Sequence, residues 1–234
     1  MRRRLLPVVI ALVASILFAT PAFAWSNGPN WGNGFGTHDW ILYEAGRLAG
    51  SPTWLKMSTA LSRTDNPDMN FHDFWYHCYD RWGTHYGNSP KKVVEYFNKA
   101  VSAYKSKSYK TASIDVAYMS HYYADTLDPL HTDSTTAEKK MHSRWEEAVD
   151  SRLTYKGEHR SWIHYDGYQT VSSVSAKTIS GARYAHQFYT SLVKNYNASR
   201  YNSAVSSITR KCLNKAVNGL ADLIRQIAKG NKLN

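Results

Sequence analysis

The chain has 234 residues, of which 43% are hydrophobic and 20% charged, so it is long enough for one sizeable globular domain and short for two. This composition excludes a disordered chain, and eight tryptophans and seventeen tyrosines provide large side chains for a core. The formal net charge of +11 favours polyanions or anionic membrane surfaces as partners, although a solvated basic surface with no special partner fits it nearly as well.

The N-terminus has the pattern of a secretory signal peptide. Three arginines precede an apolar run over residues 5–19, and a proline and a small-residue A-x-A site ending at Ala24 follow. The run is short for a membrane span, which disfavours the alternative of a membrane anchor. We therefore expect cleavage between Ala24 and Trp25 and secretion of residues 25–234. Three arginines and no acidic residues would be removed, lowering the formal net charge from +11 to +8.

After a Gly- and Asn-rich loop that reaches residue 37, apolar residues recur with helical spacing, without the alternation typical of strands. Helices are predicted over 38–48, 52–62, 91–105, 110–126, 135–153, 175–195 and 203–227. The aromatic, Asp- and His-rich stretch over 63–88 is broken by proline and glycine and is predicted to be loop with short helical pieces. A long surface segment is expected over 154–170. The sequence thus predicts one all-α domain of several helices.

Two cysteines, Cys78 and Cys212, would enter an oxidising compartment after secretion. A disulfide and two separate buried thiols fit the sequence equally well. Two cysteines are too few for a disulfide framework, so the domain must be stabilised in another way.

Histidines and carboxylates are paired at helical spacing. His121 and Asp125 are four residues apart, as are His142 and Glu146, so each pair shares one helix face and can converge on a metal ion. A hydrogen bond on a helix surface would explain a single such pair equally well. Two pairs on neighbouring helices, with His131 after a proline turn between them, indicate metal sites more strongly.

Further metal donors lie upstream. Asp65 and His77 are twelve residues apart and flank an aromatic segment. Cleavage would free the α-amine of Trp25, which can chelate a metal together with the carbonyl oxygen, and the Gly-rich loop is flexible enough to bring this terminus to His38. Mixed imidazole and carboxylate donors are the set that zinc takes, whereas calcium prefers oxygen ligands.

Together these motifs resemble the bacterial zinc-dependent phospholipases C, which share a superfamily with the S1/P1-type nucleases. The resemblance spans nearly the whole mature chain, and it is carried by Trp25, Gly36-Thr37-His38, Asp65, His77, His121-x-x-x-Asp125, Pro129-Leu130-His131 and His142-x-x-x-Glu146. It implies an all-α domain around three zinc ions. By resemblance, one ion is held by Asp65, His77, His121 and Asp125, a second, more exposed one by His131, His142 and Glu146, and a third by Trp25, His38 and the shared Asp125.

The resemblance also implies hydrolysis of a phosphodiester. Zinc suits this reaction because it polarises phosphoryl oxygens, lowers the pKa of a bound water and steadies the leaving oxygen. The sequence contains no serine elbow or Cys/His arrangement, so we expect attack by zinc-activated water without a covalent intermediate. Asp65 would act as general base while also contacting zinc, and a role as ligand alone is the alternative.

Three features favour the phospholipase branch over the nuclease branch: the interval from Trp25 to His38, glutamate rather than aspartate at position 146, and the short interval from His131 to His142. We therefore expect a monomeric secreted enzyme, without a protein partner, that cleaves glycerophospholipids at a membrane surface into diacylglycerol and a phosphorylated head group. There are two alternatives. One is a nuclease that binds single-stranded nucleic acid in a basic groove, and the other is a binding module that zinc stabilises and that has no catalytic activity.

The preference for a head group stays open. Choline-preferring members of the family carry an acidic residue just after the terminal tryptophan, whereas residues 26–28 of this chain contain none. The substrate-binding residues are likewise not predicted.

Overall fold

A computed structural model describes residues 25, 34–133, 136–153, 156 and 159–234 and confirms the all-α architecture, with no strand among these residues. The α-helices of the described chain are α1 Thr37–Leu48, α2 Met57–Leu61, α3 Ser89–Lys105, α4 Tyr109–Asp125, α5 Thr136–Asp150, α6 Val174–His186, α7 Tyr189–Ser199 and α8 Ser203–Ile227. Shorter helical turns lie at Pro67–Phe71, Phe74–Tyr76, Pro129–His131 and Arg160–Trp162. The predicted signal peptide lies outside the described residues, so its cleavage stays a prediction.

One cluster of buried apolar side chains joins the helices. The apolar face of α8 is buried along most of its length and packs against α1, while α3 and α4 lie against each other. Gly219 allows α8 to approach α4 closely, because a Cβ atom at this position would lie 2.0 Å from the hydroxyl oxygen of Tyr123. None of the described helices has the length and apolar character that a membrane span requires.

The helix predicted over 52–62 is shorter than expected and begins only at Met57. The backbone N–H of Lys56 donates to the hydroxyl of Ser113 on α4 at 2.8 Å, and that of Leu55 closes a turn with the carbonyl of Pro52. Residues 52–55 therefore form a turn, because a side chain from another helix takes a donor that a continuous helix would use.

The single helix predicted over 175–195 is in fact two helices, α6 and α7. Between them, the N–H of Phe188 bonds to the carbonyl of Ala185, three residues back, and the α-helical pattern resumes with Leu192 donating to Phe188. This tighter turn breaks the helix without disturbing the apolar period, so the spacing alone did not reveal it.

The end of the predicted surface segment, residues 164–169, runs along α8 and is hydrogen-bonded to it. Four side chains at intervals of four residues on α8 make these bonds. Asn214 accepts from the N–H of His164, Asn218 from that of Asp166, Asp222 from that of Gln169, and Gln226 from the Tyr168 hydroxyl, at 2.7, 3.2, 3.0 and 3.1 Å. This exposed segment is therefore held to the core by one helix face.

Candidate functional site

The last turn of α4 carries two of the predicted ligands. His121 and Asp125 are fully buried and one helical turn apart, and His121 Nε2 lies 3.5 Å from Asp125 Oδ2. The Nδ1 atom of His121 donates to the carbonyl oxygen of Thr64 at 2.7 Å, since a carbonyl can only accept. This bond fixes the tautomer that leaves Nε2 without a proton, which is the form that binds a metal ion.

The first group of donors forms where the 63–88 stretch meets α4. His77 Nδ1 lies 2.8 Å from Asp125 Oδ2 and 3.2 Å from His121 Nε2. Asp68 Oδ1 lies 3.3 Å from His77 Nδ1 and also 3.3 Å from His121 Nε2. Asp68, His77 and His121 offer ligand atoms within 4.8 Å of one another, so they form a group that can hold a metal ion.

The second group is made by His38, His121 and Asp125, whose ligand atoms also lie within 4.8 Å of one another. His38, from the first turn of α1, places Nε2 at 3.5 Å from Asp125 Oδ1, and its ring stacks on that of His121 with centroids 3.9 Å apart. Asp125 thus presents Oδ1 to His38 and Oδ2 to His77. This is the arrangement of a carboxylate between two neighbouring sites.

The third group joins α5 to the turn after α4. The Nε2 atoms of His131 and His142 lie 2.9 Å apart, and Glu146 Oε1 is 2.7 Å from His142 Nε2. His131 Nδ1 donates to the carbonyl of His77 at 3.0 Å, which leaves its Nε2 for a metal ion. Asp128 completes the group of four buried residues.

Whether these groups fit a metal ion can be judged from their buried carboxylate oxygens that have no hydrogen bond. They are Asp68 Oδ1, Asp125 Oδ1, Asp128 Oδ2 and Glu146 Oε1. Carboxylate oxygens that lie against imidazole nitrogens without a hydrogen bond are costly to bury, and two unprotonated imidazole nitrogens that face each other repel, so a cation among these atoms would stabilise both. Imidazole nitrogens and carboxylate oxygens converging from several elements are a donor set that zinc takes, and the residues present therefore fit zinc.

The pKa shifts reflect the same excess of buried carboxylate. Burial lowers the pKa of His77, but hydrogen bonds to Asp125 and Asp73 outweigh it and raise that pKa to about 10. Burial raises the pKa of Asp128 to about 8, opposed by the nearby His131. Without a metal ion, this site stabilises protons on groups that a metal ligand must give up.

Asp73 supports His77 from outside the three groups. Its Oδ1 atom accepts from the Tyr122 hydroxyl at 2.8 Å and lies 3.4 Å from His77 Nε2, and its Oδ2 pairs with Lys92 at 3.2 Å. Such carboxylate partners fix the ring orientation of a ligating histidine. Asp73 and His77 are four residues apart, the spacing of the other two pairs, but they lie in a stretch predicted to be mainly loop, where that spacing does not indicate a shared helix face.

Trp25 lies beside the groups. Its buried indole N–H donates to the carbonyl of Ala124 at 3.1 Å, and its ring lies 4.7 Å from that of Trp145. These two partners immediately precede Asp125 and Glu146, so the side chain holds this residue next to the donors. The role of its α-amine stays a prediction, because it depends on cleavage after Ala24.

Asp65 belongs to none of the three groups, and Asp68, three residues later, offers a carboxylate oxygen to the first of them. Asp65 is only half-buried, whereas Asp68 is buried, and a π-type turn at Pro67–Phe71 lies between the predicted residue and His77. The spacing of twelve residues could not distinguish two nearby aspartates. The role of Asp65 as zinc ligand and general base therefore stays a prediction.

Asp128 is the second donor that the sequence reasoning missed. It is fully buried, and its Oδ1 accepts from the N–H of Leu130 at 2.7 Å at the start of the short turn Pro129–His131. Asp128 lies between two predicted ligands, Asp125 and His131. It was missed because it has no histidine four residues away, which was the spacing used to identify the pairs.

The remaining histidines and the cysteines lie outside the three donor groups. The histidines are His72, His85, His159, His164 and His186. The two cysteines are not paired: Cys212 is buried in α8, and Cys78 Sγ lies 3.6 Å from His131 Nδ1.

Comparison with known proteins agrees with this geometry. Residues 64–221, more than half of the chain, match the family described as zinc dependent phospholipase C. Among solved structures, an alpha toxin from Clostridium absonum matches with a TM-score of 0.66 and 14% identity over 86% of this chain and 65% of that chain. An alpha-toxin of Clostridium perfringens from an avian strain matches with a TM-score of 0.62 and 16% identity over 84% of this chain and 64% of that chain.

At these identities the two toxins show a shared fold, and this chain spans less than two thirds of their length. No curated protein sequence matches the chain.

Proposed function

Because this chain belongs to the zinc dependent phospholipase C family, we propose that it hydrolyses glycerophospholipids to diacylglycerol and a phosphorylated head group. The observation that carries the proposal is that buried donor groups meet at one end of α4, with His121 shared by two of them. Bound zinc would supply the chemistry of phosphodiester hydrolysis, by polarising phosphoryl oxygens and lowering the pKa of water.

The proposed ligands keep the predicted division into three sites. His77, His121 and Asp125 would hold one ion with Asp65 or Asp68, His131, His142 and Glu146 a second with Asp128, and Trp25, His38 and Asp125 a third. The hydrogen bonds of His121 to Thr64 and of His131 to His77 support these assignments, because they orient the Nε2 atoms towards the other donors.

We assign the general base to Asp65. A general base must release the proton that it takes from water, and Asp65 is half-buried and therefore partly open to solvent, whereas Asp68 is buried among the histidines. In this arrangement Asp68 contributes negative charge to the site and Asp65 accepts the proton of the attacking water.

Maturation is part of the proposal. Residues 1–24 would direct secretion and be removed after Ala24, so that the α-amine of Trp25 becomes available beside Asp125. The contacts of the Trp25 side chain with Ala124 and Trp145 support this step, because they hold the residue at the site. A protein with one extra residue before Trp25 should bind one zinc ion fewer than the processed protein and lose most of its activity. Full zinc content in the extended protein would contradict the terminal chelate.

The function is tested with the processed protein loaded with zinc. Vesicles of phosphatidylcholine, vesicles of phosphatidylethanolamine and single-stranded DNA are offered separately, with and without a chelator, and released phosphorylated head group and DNA fragments are measured. Release of head group that the chelator abolishes is the expected result. Cleavage of DNA alone would identify a nuclease, and zinc-dependent folding without hydrolysis of any of these substrates would identify a binding module.

A further inference from the structure

Large aromatic side chains are exposed beside the candidate metal centre. Within the described chain, Trp75, Trp82 and Tyr86 are 45%, 40% and 38% exposed, although side chains of this kind are usually buried. All three lie in the twelve residues from Trp75 to Tyr86, which we call the aromatic loop. Exposed aromatic side chains concentrated in one short segment indicate a binding surface.

The aromatic loop is held in shape by hydrogen bonds. The buried carboxylate of Asp80 accepts from the backbone N–H groups of Trp82, Gly83 and Thr84 at 3.1, 2.6 and 2.6 Å. The N–H of Asp80 donates to the carbonyl of Tyr86 at 2.8 Å, which closes the loop on itself. Because this shape exists before binding, a partner does not have to order the loop.

The same loop is part of the metal centre. It contains His77, and the backbone N–H of Tyr79 donates to the carbonyl of His131 at 3.0 Å. A surface that contacts the exposed aromatic side chains would therefore lie beside the candidate ligands.

The arginine of the loop, Arg81, makes its contacts within the loop and with the residue that follows it. The Arg81 guanidinium donates to the carbonyls of Asp80 and Gly87, both at 2.8 Å, and lies over the ring of Tyr79. These contacts hold the Arg81 side chain against the loop. Binding through this loop should depend on aromatic side chains more than on charge.

The ring geometry favours a lipid interface over nucleic acid. Trp75 and Tyr86 meet edge to face at 74°, and one face of Trp82 is covered by the stacked ring of His186 at 4.2 Å. Successive bases of a single strand stack on a row of open aromatic faces, whereas here two of the rings meet edge to face and the third has one face covered. Tryptophan and tyrosine, with an apolar ring and one polar group, are the side chains that concentrate at the surface of a bilayer.

We propose that the aromatic loop inserts Trp75, Trp82 and Tyr86 into the interfacial layer of a phospholipid bilayer and thereby holds the metal centre against the membrane. This inference takes its partner from the proposed function.

The test measures binding without turnover. The processed, zinc-loaded protein is sedimented with vesicles of a phosphonate analogue of phosphatidylcholine, in which carbon replaces the scissile oxygen. The double variant Trp75→Ala, Trp82→Ala should bind roughly tenfold more weakly. It lacks the free energy that is gained when two half-exposed indole rings move from water into the bilayer surface. Tyr165→Ala is the matched control, since Tyr165 is 46% exposed but lies on the 164–169 segment, and it should bind like the original protein.

Zinc content and the thermal unfolding midpoint show whether the double variant is folded. If the double variant is not folded, the proposal is tested on the unsubstituted protein, whose tryptophan fluorescence should be quenched by bromine-labelled lipids in the same vesicles. Equal vesicle binding by the folded double variant, absence of quenching, or loop-dependent binding to single-stranded DNA without binding to vesicles would overturn the proposal.

The two proposals fail separately. Loop-dependent binding to the analogue vesicles without hydrolysis of either phospholipid would support the membrane surface and reject the phospholipase activity. Hydrolysis of phosphatidylcholine with vesicle binding that is independent of Trp75 and Trp82 would reject the membrane surface alone.

Discussion

Asp125 is the residue on which the candidate site is centred. It is fully buried at the end of α4, and its two oxygens face histidines from different parts of the chain, His38 and His77. The pairing of His121 with Asp125 at four residues predicted the central helix turn. The orientation of the carboxylate oxygens was not predictable, because it depends on where α1 and the 63–88 stretch pack.

Asp128 offers a test of one donor. Asp128→Asn keeps the oxygen that accepts from Leu130 but removes the charge, so we expect zinc at the third group to bind roughly 10- to 100-fold more weakly. Zinc retained after dialysis against a competing chelator measures this change. Asp222→Asn is the control, since Asp222 is also buried and accepts from Gln169 and Lys177, and it should keep all its zinc. Unchanged zinc in Asp128→Asn would limit Asp128 to stabilising the turn.

Asp65 and Asp68 are distinguished by separate substitutions. We expect Asp65→Asn to keep its zinc and lose activity, about 100-fold or more in kcat, because a general base contributes on that order. Asp68→Asn should lose zinc, because Asp68 lies 3.3 Å from the nitrogens of both His77 and His121. Zinc analysis together with kcat decides, and the opposite pattern would make Asp65 the ligand.

Asp115 gives a pH dependence away from the metal centre. Burial raises its pKa from 3.8 to about 6, only partly offset by Lys99, so the ionised form is disfavoured in the folded protein. Stability from this group is fully present below pH 3.8 and is lost as the pH rises through 6. Asp115→Asn should therefore stabilise the protein by roughly 1 kcal/mol at pH 8, after allowance for solvent screening of a half-buried group, and less at pH 4.5. Urea unfolding at both pH values measures this, and an equal effect at both would be inconsistent with the raised pKa.

At the scale of elements, apolar spacing predicted the long helices well. α8 has the predicted bounds, and α1, α3 and α4 differ from theirs by one or two residues. Spacing failed where a single hydrogen bond decides the structure, as where Ser113 takes the N–H of Lys56 and shortens α2. Such a bond joins residues far apart in sequence and leaves no local pattern.

The contact between α8 and α4 can be tested at Gly219. Gly219→Ala would place a methyl group against the buried ring of Tyr123, so we expect a loss of about 1–3 kcal/mol in the free energy of unfolding. Gly181→Ala is the matched comparison, because its Cβ would meet a terminal methyl of Leu127 at 2.8 Å, which can move aside more easily. Chemical denaturation of both variants gives the difference, and a smaller loss for Gly219→Ala would argue against a rigid contact.

For the whole molecule, stability should depend on zinc. The described core is helical and contains no disulfide, while several buried carboxylates near α1, α4 and α5 each have one oxygen without a hydrogen bond. Metal bound to the folded state adds about 4 kcal/mol for each ion present at a thousand times its Kd. A chelator should therefore lower the thermal unfolding midpoint, and zinc rather than calcium should restore it. A midpoint that is insensitive to the chelator would mean that the donor groups do not hold metal.

The segment over residues 164–169 has a consequence for changes in chain length. An extended chain advances about 3.3 Å per residue and a helix about 1.5 Å, so two extended residues cover nearly the distance of four helical ones. This match lets His164 and Asp166, two residues apart, meet Asn214 and Asn218, which are four apart on α8. The next step, from Asp166 to Gln169, takes three residues and includes Gly167 at a φ of +85°. Three of the four bonds to α8 use backbone N–H groups of the segment, so a substitution leaves them in place, whereas deleting a single residue would shift every later bond out of phase. This loop should therefore tolerate substitution far better than a change of length.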